Sequence, residues 1–590
     1  MKRIYQAFDQ AAEEAMLAKV SLQAPWALIE RFSTLVRESG SEDERIAAEY
    51  IGRQLSKWEV PYTVYEPEIY LSVPRSASVQ VPTEGKSIRG KAPSFSASTG
   101  PGGLSGPVVF VTPSETALED DVLDRPADPG VDVRGKIVLA HGYGGPAPVS
   151  DLEKRGAIGQ IYINPGQDIH WGTCTTIWGS PDLDTLPRKP QTPIIAVNNP
   201  DGLWLSELAR KGDLTVTLHA DLWEGWARCP LVVAEIEGTT EPDRFILVHG
   251  HYDSWDVGIG DNAVGNATLL ELARVFWVHR DKLRRSIRVA WWPGHSTGRY
   301  AGSTWYADAF GLDLAENCIA QVDIDSPGCR WATEYQGVSW MAETDDFCRQ
   351  AIQDATGKTA TGGRPHQAGD YSFNNIGLSA FFMLLSVIPQ HVAEEKGYYP
   401  VGGCGGNIGW HTEHDTLELA DRDNLLRDLK VYVTTLSRVA NSAVYPFDFM
   451  RVAKEFIATL EQYQQDGAGQ FDLTPALEEA QALRYDLVRF YRETEAALEA
   501  GQENFGSVND TILALARTLI PINYTRHGRF RNEPAITIPP LPDLAPIQEL
   551  GSLPPDSDRA KLIRNHLLRG QNRVVHALRQ ARQLVKSVLK

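Results

Sequence analysis

Asp243-Arg-Phe-Ile-Leu-Val-His-Gly-His251-Tyr-Asp253-Ser-Trp, followed by Asp261-Asn-Ala-Val-Gly-Asn-Ala-Thr-Leu-Leu-Glu-Leu-Ala-Arg-Val-Phe276, decides the fold. The first stretch carries an apolar run of about five residues that reads as a buried strand, which puts His251 on the loop at its carboxyl edge. Open α/β sheets gather their ligands at that edge. Asp253 is two residues away, close enough to take the second ring proton of His251 and fix its tautomer. In the second stretch Leu269, Leu270, Ala273 and Phe276 recur at helical spacing, so Asp261 belongs at a helix start.

Two later segments complete the pattern. Asp325 sits in the strand-like run Ile319-Ala-Gln-Val-Asp-Ile-Asp-Ser, and His411-Thr-Glu-His-Asp-Thr follows the glycine-rich loop Gly402-Gly-Cys-Gly-Gly-Asn-Ile-Gly-Trp410. Two imidazoles and two carboxylates suit a zinc-type site with room for water, and a carboxylate placed like Asp261 can bridge two cations.

In order and spacing these segments resemble the superfamily of zinc aminopeptidases, glutamate carboxypeptidases and the transferrin receptor. Its members carry a His-x-Asp-Ser strand end, a bridging Asp ten residues on, a Glu-Glu pair, a later Asp and a closing His. The resemblance implies that His251 and Asp325 hold one metal, that Asp261 bridges and that His411 holds the second. It implies a divalent metal, zinc in the first place, one or two ions, with manganese, iron or cobalt as alternatives. The departure is as informative. Where the peptidases read Glu-Glu-x-Gly-Leu-x-Gly-Ser, this chain reads His295-Ser-Thr-Gly-Arg299-Tyr-Ala-Gly-Ser, one residue longer between Gly298 and Gly302. Both carboxylates are gone, which should weaken the His411 site more than the other. His295 can serve as general base, as ligand of the second site, or as a histidine that only packs. Ser296, Arg299 or a water-mediated group is left to move the proton if it only packs. His295, Ser296 and Asp253 are thus the candidate catalytic residues, and His295 joins His251, Asp261, Asp325 and His411 as a candidate ligand. Ala368-Gly-Asp370-Tyr371-Ser-Phe resembles the family's pocket segment Ser-Asp-His-x-x-Phe, with Tyr371 in place of the histidine. Arg299, Trp410, Asp370 and Tyr371 are the candidate substrate contacts.

The remainder of the chain is organised around this core. At 590 residues several domains are expected. Trp26 to Lys57 reads as two helices, the second opened by the capping box Ser41-Glu-Asp-Glu44. From Glu66 short β-rich runs alternate with glycine and proline: Pro107-Val-Val-Phe-Val, Gly135-Lys-Ile-Val-Leu-Ala, Gln160-Ile-Tyr-Ile-Asn and Thr192-Pro-Ile-Ile-Ala-Val. Their wording resembles the protease-associated domain inserted in larger superfamily members, and the loop His170-Trp-Gly-Thr-Cys-Thr-Thr-Ile-Trp-Gly-Ser is either a lid element that reaches the substrate or a surface loop. Strands and helices alternate again to Val444, as in a mostly parallel sheet flanked by helices. The expected fold class is α/β, with catalytic segments 1–65 and 229–445, a β-rich insert 66–228 and a helical domain 446–590. That last domain contains Pro521-Ile-Asn-Tyr-Thr-Arg-His-Gly-Arg-Phe, which resembles the dimerisation domain of transferrin-receptor-like members, so a homodimer is expected. From Arg559 onward the chain carries Lys and Arg without Asp or Glu on an amphipathic helical pattern, which can attach to a membrane or dock on the acidic body or a second subunit.

Composition excludes several classes. Hydrophobic content of 42% and charged content of 23% are those of an ordinary globular chain. No apolar stretch of about eighteen residues occurs, and the amino terminus lacks an apolar signal core, so no membrane span and a cytoplasmic address are expected. A formal charge of −19 disfavours nucleic acid and anionic membrane as partners. The six cysteines lack a Cys-x-x-Cys pair, which argues against a disulfide framework and a thiolate zinc site. Cys404, in the glycine-rich loop, is a pocket residue or a small buried filler. The expected function is a metal-dependent hydrolysis of an amide or related C–N bond in a small molecule or short peptide by metal-activated water. The alternative is a catalytically silent homologue that binds or assembles.

Overall fold

The computed structural model describes residues 1–112 and 130–589; the part of the expected β-rich insert at 113–129, and Lys590, lie outside the described residues. Its central sheet has six strands in the spatial order Tyr62–Tyr65, Leu231–Ile236, Arg285–Trp292, Glu241–His251, Cys318–Asp323 and Ser379–Phe381. The last four are mutually parallel, and the two at the other edge run antiparallel to their neighbours. Strand periodicity explains why this sheet needs cover on both faces. Ile246 and Val248 point to one side, into a core with Leu269, Leu270, Ala273 and Phe276, whereas Phe245 and Leu247 point to the other, against Tyr306, Ala307 and Leu314. The helix Val264–Val278 supplies the first cover, and Ala301–Ala309 with Gly311–Asn317 the second. At roughly 1.5–3 kcal/mol per fully buried aliphatic or aromatic side chain, this two-sided burial is the main force holding the edge that bears the site.

Glu68–Val81 and Thr215–Arg228 form a long antiparallel pair that carries the chain out to a second sheet and back. That sheet has seven strands: Lys86–Gly90, Glu68–Val81, Thr215–Arg228, Leu104–Val111, Ile137–His141, Gly159–Ile163 and Ile194–Val197. It has its own core around Val79, Ile137, Ile161, Ile195 and Leu218.

The carboxy-terminal part is helical, built on Phe449–Asp466, Thr474–Glu499, Gly506–Tyr524 and Asp558–Val588. The basic helix Asp558–Val588 docks on this chain's own acidic helix: Ile563, Leu567, Val574, Leu578 and Val585 are buried, Arg579 and Arg582 pair with Glu479, and Arg582 also reaches Asp486. Of the two expectations for this segment, the structure shows docking. No helix among the described residues is long and apolar enough to cross a membrane.

Candidate metal centre

Three adjacent parallel strands deliver the centre. His251 ends the strand Glu241–His251 and is paired in register with Trp292, and three residues beyond Trp292 comes His295. On the other side His249 pairs with Asp323, and two residues further comes Asp325. Asp261 comes from the turn Ile259–Ala263 that leads into the helix Val264–Val278. That turn is held by the buried carboxylate of Asp415, which accepts from the backbone N–H of Gly260 at 2.6 Å and of Asp261 at 2.9 Å. Burial first, then the nearby Asp261 charge, push Asp415 up to about 7 against these hydrogen bonds.

Asp261 stands between two imidazoles. His251 Nε2 is 2.9 Å from Asp261 Oδ1, and His411 Nε2 is 3.0 Å from Asp261 Oδ2. The opposite ring nitrogens face carbonyl oxygens, His251 Nδ1 at 3.0 Å from Asp253 O and His411 Nδ1 at 2.9 Å from Trp171 O. Nδ1–H donation to those carbonyls leaves Nε2 of each ring aimed at a carboxylate, an arrangement that repels unless a proton or a metal cation lies between. Consistently, His251 Nε2 and Asp261 Oδ1 are buried with no hydrogen-bond partner. Asp325 adds Oδ2 at 3.9 Å from His251 Nε2, and its Oδ1 accepts from Ser326. Although burial lowers the His251 pKa, Asp253, Asp261 and Asp325 raise it well above the ordinary imidazole range, so the surroundings favour positive charge here. The residues therefore fit a divalent cation, as neutral imidazole and carboxylate donors do for zinc.

His295 is not where the expectation of a second-site ligand beside His411 puts it. Its ring stacks on His251 at 3.8 Å and 14°, and its ligand atom lies with those of His251 and Asp325 within 4.8 Å of one another. His295 Nδ1 contacts Asp370 Oδ2 at 2.9 Å, and Asp370 is held in turn by Ser303 Oγ at 2.6 Å. Against burial, His295 keeps Asp370 below the usual carboxylate range, whereas burial, Asp370 and Asp325 drive the neighbouring Asp323 well above it. Asp253 is buried behind the centre and accepts from the backbone N–H groups of His295 and Ser296 at 3.1 and 2.9 Å. It positions the His295 loop rather than facing substrate. Among the described residues Asp261 is the only carboxylate paired with His411.

A cleft of about 100 Å³ opens above these groups. Asp261, His295, Ser296, Arg299, Asp325, Trp410 and His411 line it, as do Trp171, Trp255 and Tyr300. Two of the expected substrate contacts do not: Asp370 lies beneath His295, and Tyr371 is packed in the hydrophobic core. Cys404 is also buried, with Sγ against the Asp415 carboxylate, and acts as filler under the Gly260 turn. The loop His170–Ser180 does reach the cleft. Trp171 N–H donates to His411 O at 2.8 Å, Trp171 stacks on Trp255 at 5.3 Å, and Trp410 stacks on His411 at 3.7 Å. Trp255, Tyr143 and Tyr300 are cleft residues with no motif of their own; the signal that could have found them is their adjacency to His251, His295 and the glycine turns.

Residues 232–435 match the profile of peptidase family M28, and His251, Asp261, Asp325 and His411 all fall within that span. Over this span, about a third of its length, the chain is similar to peptidase family M28. Among curated relatives, the probable glutamate carboxypeptidase VP8 of Zea mays is 27% identical over 257 residues, 39% of this chain and 34% of that protein. Aminopeptidase NAALADL1 of Mus musculus is 37% identical over 98 residues, 16% of this chain and 13% of that protein. The matched segments thus span about a third or less of these relatives' length. In fold, the chain resembles an aminopeptidase from Aneurinibacillus sp. strain AM-1, with a TM-score of 0.53 and 19% identity over 73% of this chain and 96% of that one.

Proposed function

We propose that this chain is a metal-dependent hydrolase that cleaves an amide or related C–N bond in a short peptide or other small molecule, with a site divergent from ordinary aminopeptidases. The observation that carries it is the pair of orphaned buried atoms, His251 Nε2 and Asp261 Oδ1, 2.9 Å apart with Asp325 beside them. His251, Asp261 and Asp325 would hold one ion, and His411 with Asp261 a weaker second. When bound, a divalent cation lowers the pKa of water and polarises a carbonyl. Zinc is the first choice for this donor set, with manganese, iron and cobalt as alternatives.

The chain's own groups supply the rest. His295, oriented through Nδ1 by Asp370, presents Nε2 on the cleft side and moves a proton from the attacking water to the departing amine. Trp171, Trp255, Tyr300 and Trp410 wall the cleft and keep bulk water out. At about 100 Å³ it is below the roughly 300–1,000 Å³ of drug-sized sites, which favours one residue-sized group as substrate. The seven-stranded unit acts as a protease-associated lid, a reading supported by Trp171 and Thr173 at the cleft. A cytoplasmic location accords with six unpaired, buried cysteines.

Elemental analysis of purified protein tests the proposal. About one equivalent of metal per chain is expected, lost in His251→Ala, together with turnover on short peptides. No metal after reconstitution with zinc, manganese, iron and cobalt overturns it. The replacement of both family carboxylates by His295 and Ser296 favours a second reading, a silent homologue that binds or assembles; retained metal without turnover on any amide would support that one.

A further inference from the structure

Among the described residues Arg299 is a buried cation with nothing to pair with. It is 7% exposed, it lines the cleft beside His295 and Ser296, and its Nε is buried without a hydrogen-bond partner. Among the described residues no side chain or backbone group accepts from its guanidinium, and no carboxylate forms an ion pair with it. Its contact is instead with a ring: the guanidinium carbon lies 4.6 Å from the centroid of Tyr300. Other buried arginines of this chain are fully occupied. Arg37 donates to the carbonyls of Tyr252, Val257 and Gly258, and Arg517 to those of Leu314, Ala315, Gly377 and Cys318. A desolvated guanidinium is costly unless an anion compensates it, so its retention in the cleft wall calls for a ligand that brings the charge.

The position selects the ligand. The Tyr300 ring, under the guanidinium, is itself 4.9 Å from the His295 ring. Two short contacts through one ring thus link the guanidinium to the proposed proton carrier, and all three side chains line the same cleft. Arg299 and Tyr300 both take the left-handed backbone conformation, at φ 49° and 69°, and both line the cleft.

Resting on the hydrolase reading, we infer that Arg299 receives the free carboxylate of the substrate, so that the substrate class is an N-acylated amino acid or short peptide with the scissile amide next to that carboxylate. The planar fork of the guanidinium binds a carboxylate through two parallel N–H donors, while the Tyr300 face fixes its plane. Peptides capped at the carboxyl end as amides lose this contact and leave the cation unpaired.

Calorimetric titration with N-acetyl-L-leucine and N-acetyl-L-leucinamide, on zinc-loaded and on metal-stripped protein, tests this inference. The probes differ only at the carboxyl group. The acid is expected to bind about ten-fold or more tightly than the amide, and Arg299→Met should bring the ratio to near one. Arg299→Lys, which keeps the charge without the fork, should retain part of the preference and serves if Arg299→Met does not fold. Equal binding of the two probes, binding of neither, or a preference that survives Arg299→Met overturns the inference while leaving metal content and turnover as they are. Failure of the hydrolase reading shows separately, as absent metal or absent turnover, with the binding ratio still measured.

Discussion

His295 and Ser296 are where this molecule departs from the peptidases it resembles, and the structure gives them different surroundings. His295 has a carboxylate behind it, Asp370, and a cleft in front, the geometry of an oriented general base. His295→Ala is expected to lower turnover by about two to four orders of magnitude while elemental analysis still finds the metal held by His251, Asp261 and Asp325. Metal lost along with activity would make it a ligand instead. Ser296 lies on the cleft wall, and its hydroxyl makes no hydrogen bond among the described residues. Ser296→Glu should restore a third donor near Asp261 and His411 and raise the bound metal from about one toward two equivalents per chain, measured by titration with zinc. An unchanged stoichiometry would show that the carboxylate at 296 cannot reach.

Secondary-structure elements set these residues by short local devices, and one of them stores a measurable pH dependence. The helix Glu42–Lys57 is capped by Ser41, whose hydroxyl accepts from Glu44 N–H at 3.1 Å, but the Glu44 carboxylate reaches back to Gly40 N–H at 2.8 Å rather than to Ser41. Burial in the core, only partly offset by that hydrogen bond, raises the Glu44 pKa from 4.5 to about 8. Below about pH 4.5 the folded and unfolded chains both hold this proton. Between pH 4.5 and 8 the unfolded chain releases it and the folded chain keeps it, so native stability falls as pH rises through that window. Glu44→Gln removes the titration. Its stability relative to the parent should therefore improve progressively from pH 5 to pH 8 in urea denaturation; a constant difference across that range would mean that Glu44 is ionised in the native state.

At the scale of the whole molecule, the site belongs to two units. The central sheet carries the candidate ligands His251 and Asp325 at its edge, and the seven-stranded unit supplies Trp171 and Thr173, tied to the loop of His411 through the mutual contacts of Trp171 and His411. The helical region closes on itself through Arg579, Arg582, Glu479 and Asp486, yet leaves Tyr485 and Val488 on one helix and Leu562 and Leu568 on another exposed. Such residues are ordinary singly and suggest a partner surface together. We propose a homodimer with a two-fold axis, for which light scattering at micromolar concentration should give twice the chain mass of 65.2 kDa. A monomeric mass would reject it.

The strand that ends at His251, the helix start that follows Asp261 and the strand that precedes Asp325 were legible in consecutive residues, because apolar periodicity and capping are properties of neighbouring positions. The family resemblance added which of those ends would hold metal. The side on which His295 stands was not legible: strand register, Trp292 opposite His251, brings it over His251 instead of beside His411. Nor could the sequence separate a lid loop from a surface loop at His170–Ser180, place Tyr371 in the core, or show that Arg299 has no partner among the described residues. Each of these depends on which distant segments meet. Pairing and desolvation energies belong to pairs of groups, so residues 251, 295, 299 and 411 acquire their chemistry only once the tertiary fold has chosen their neighbours.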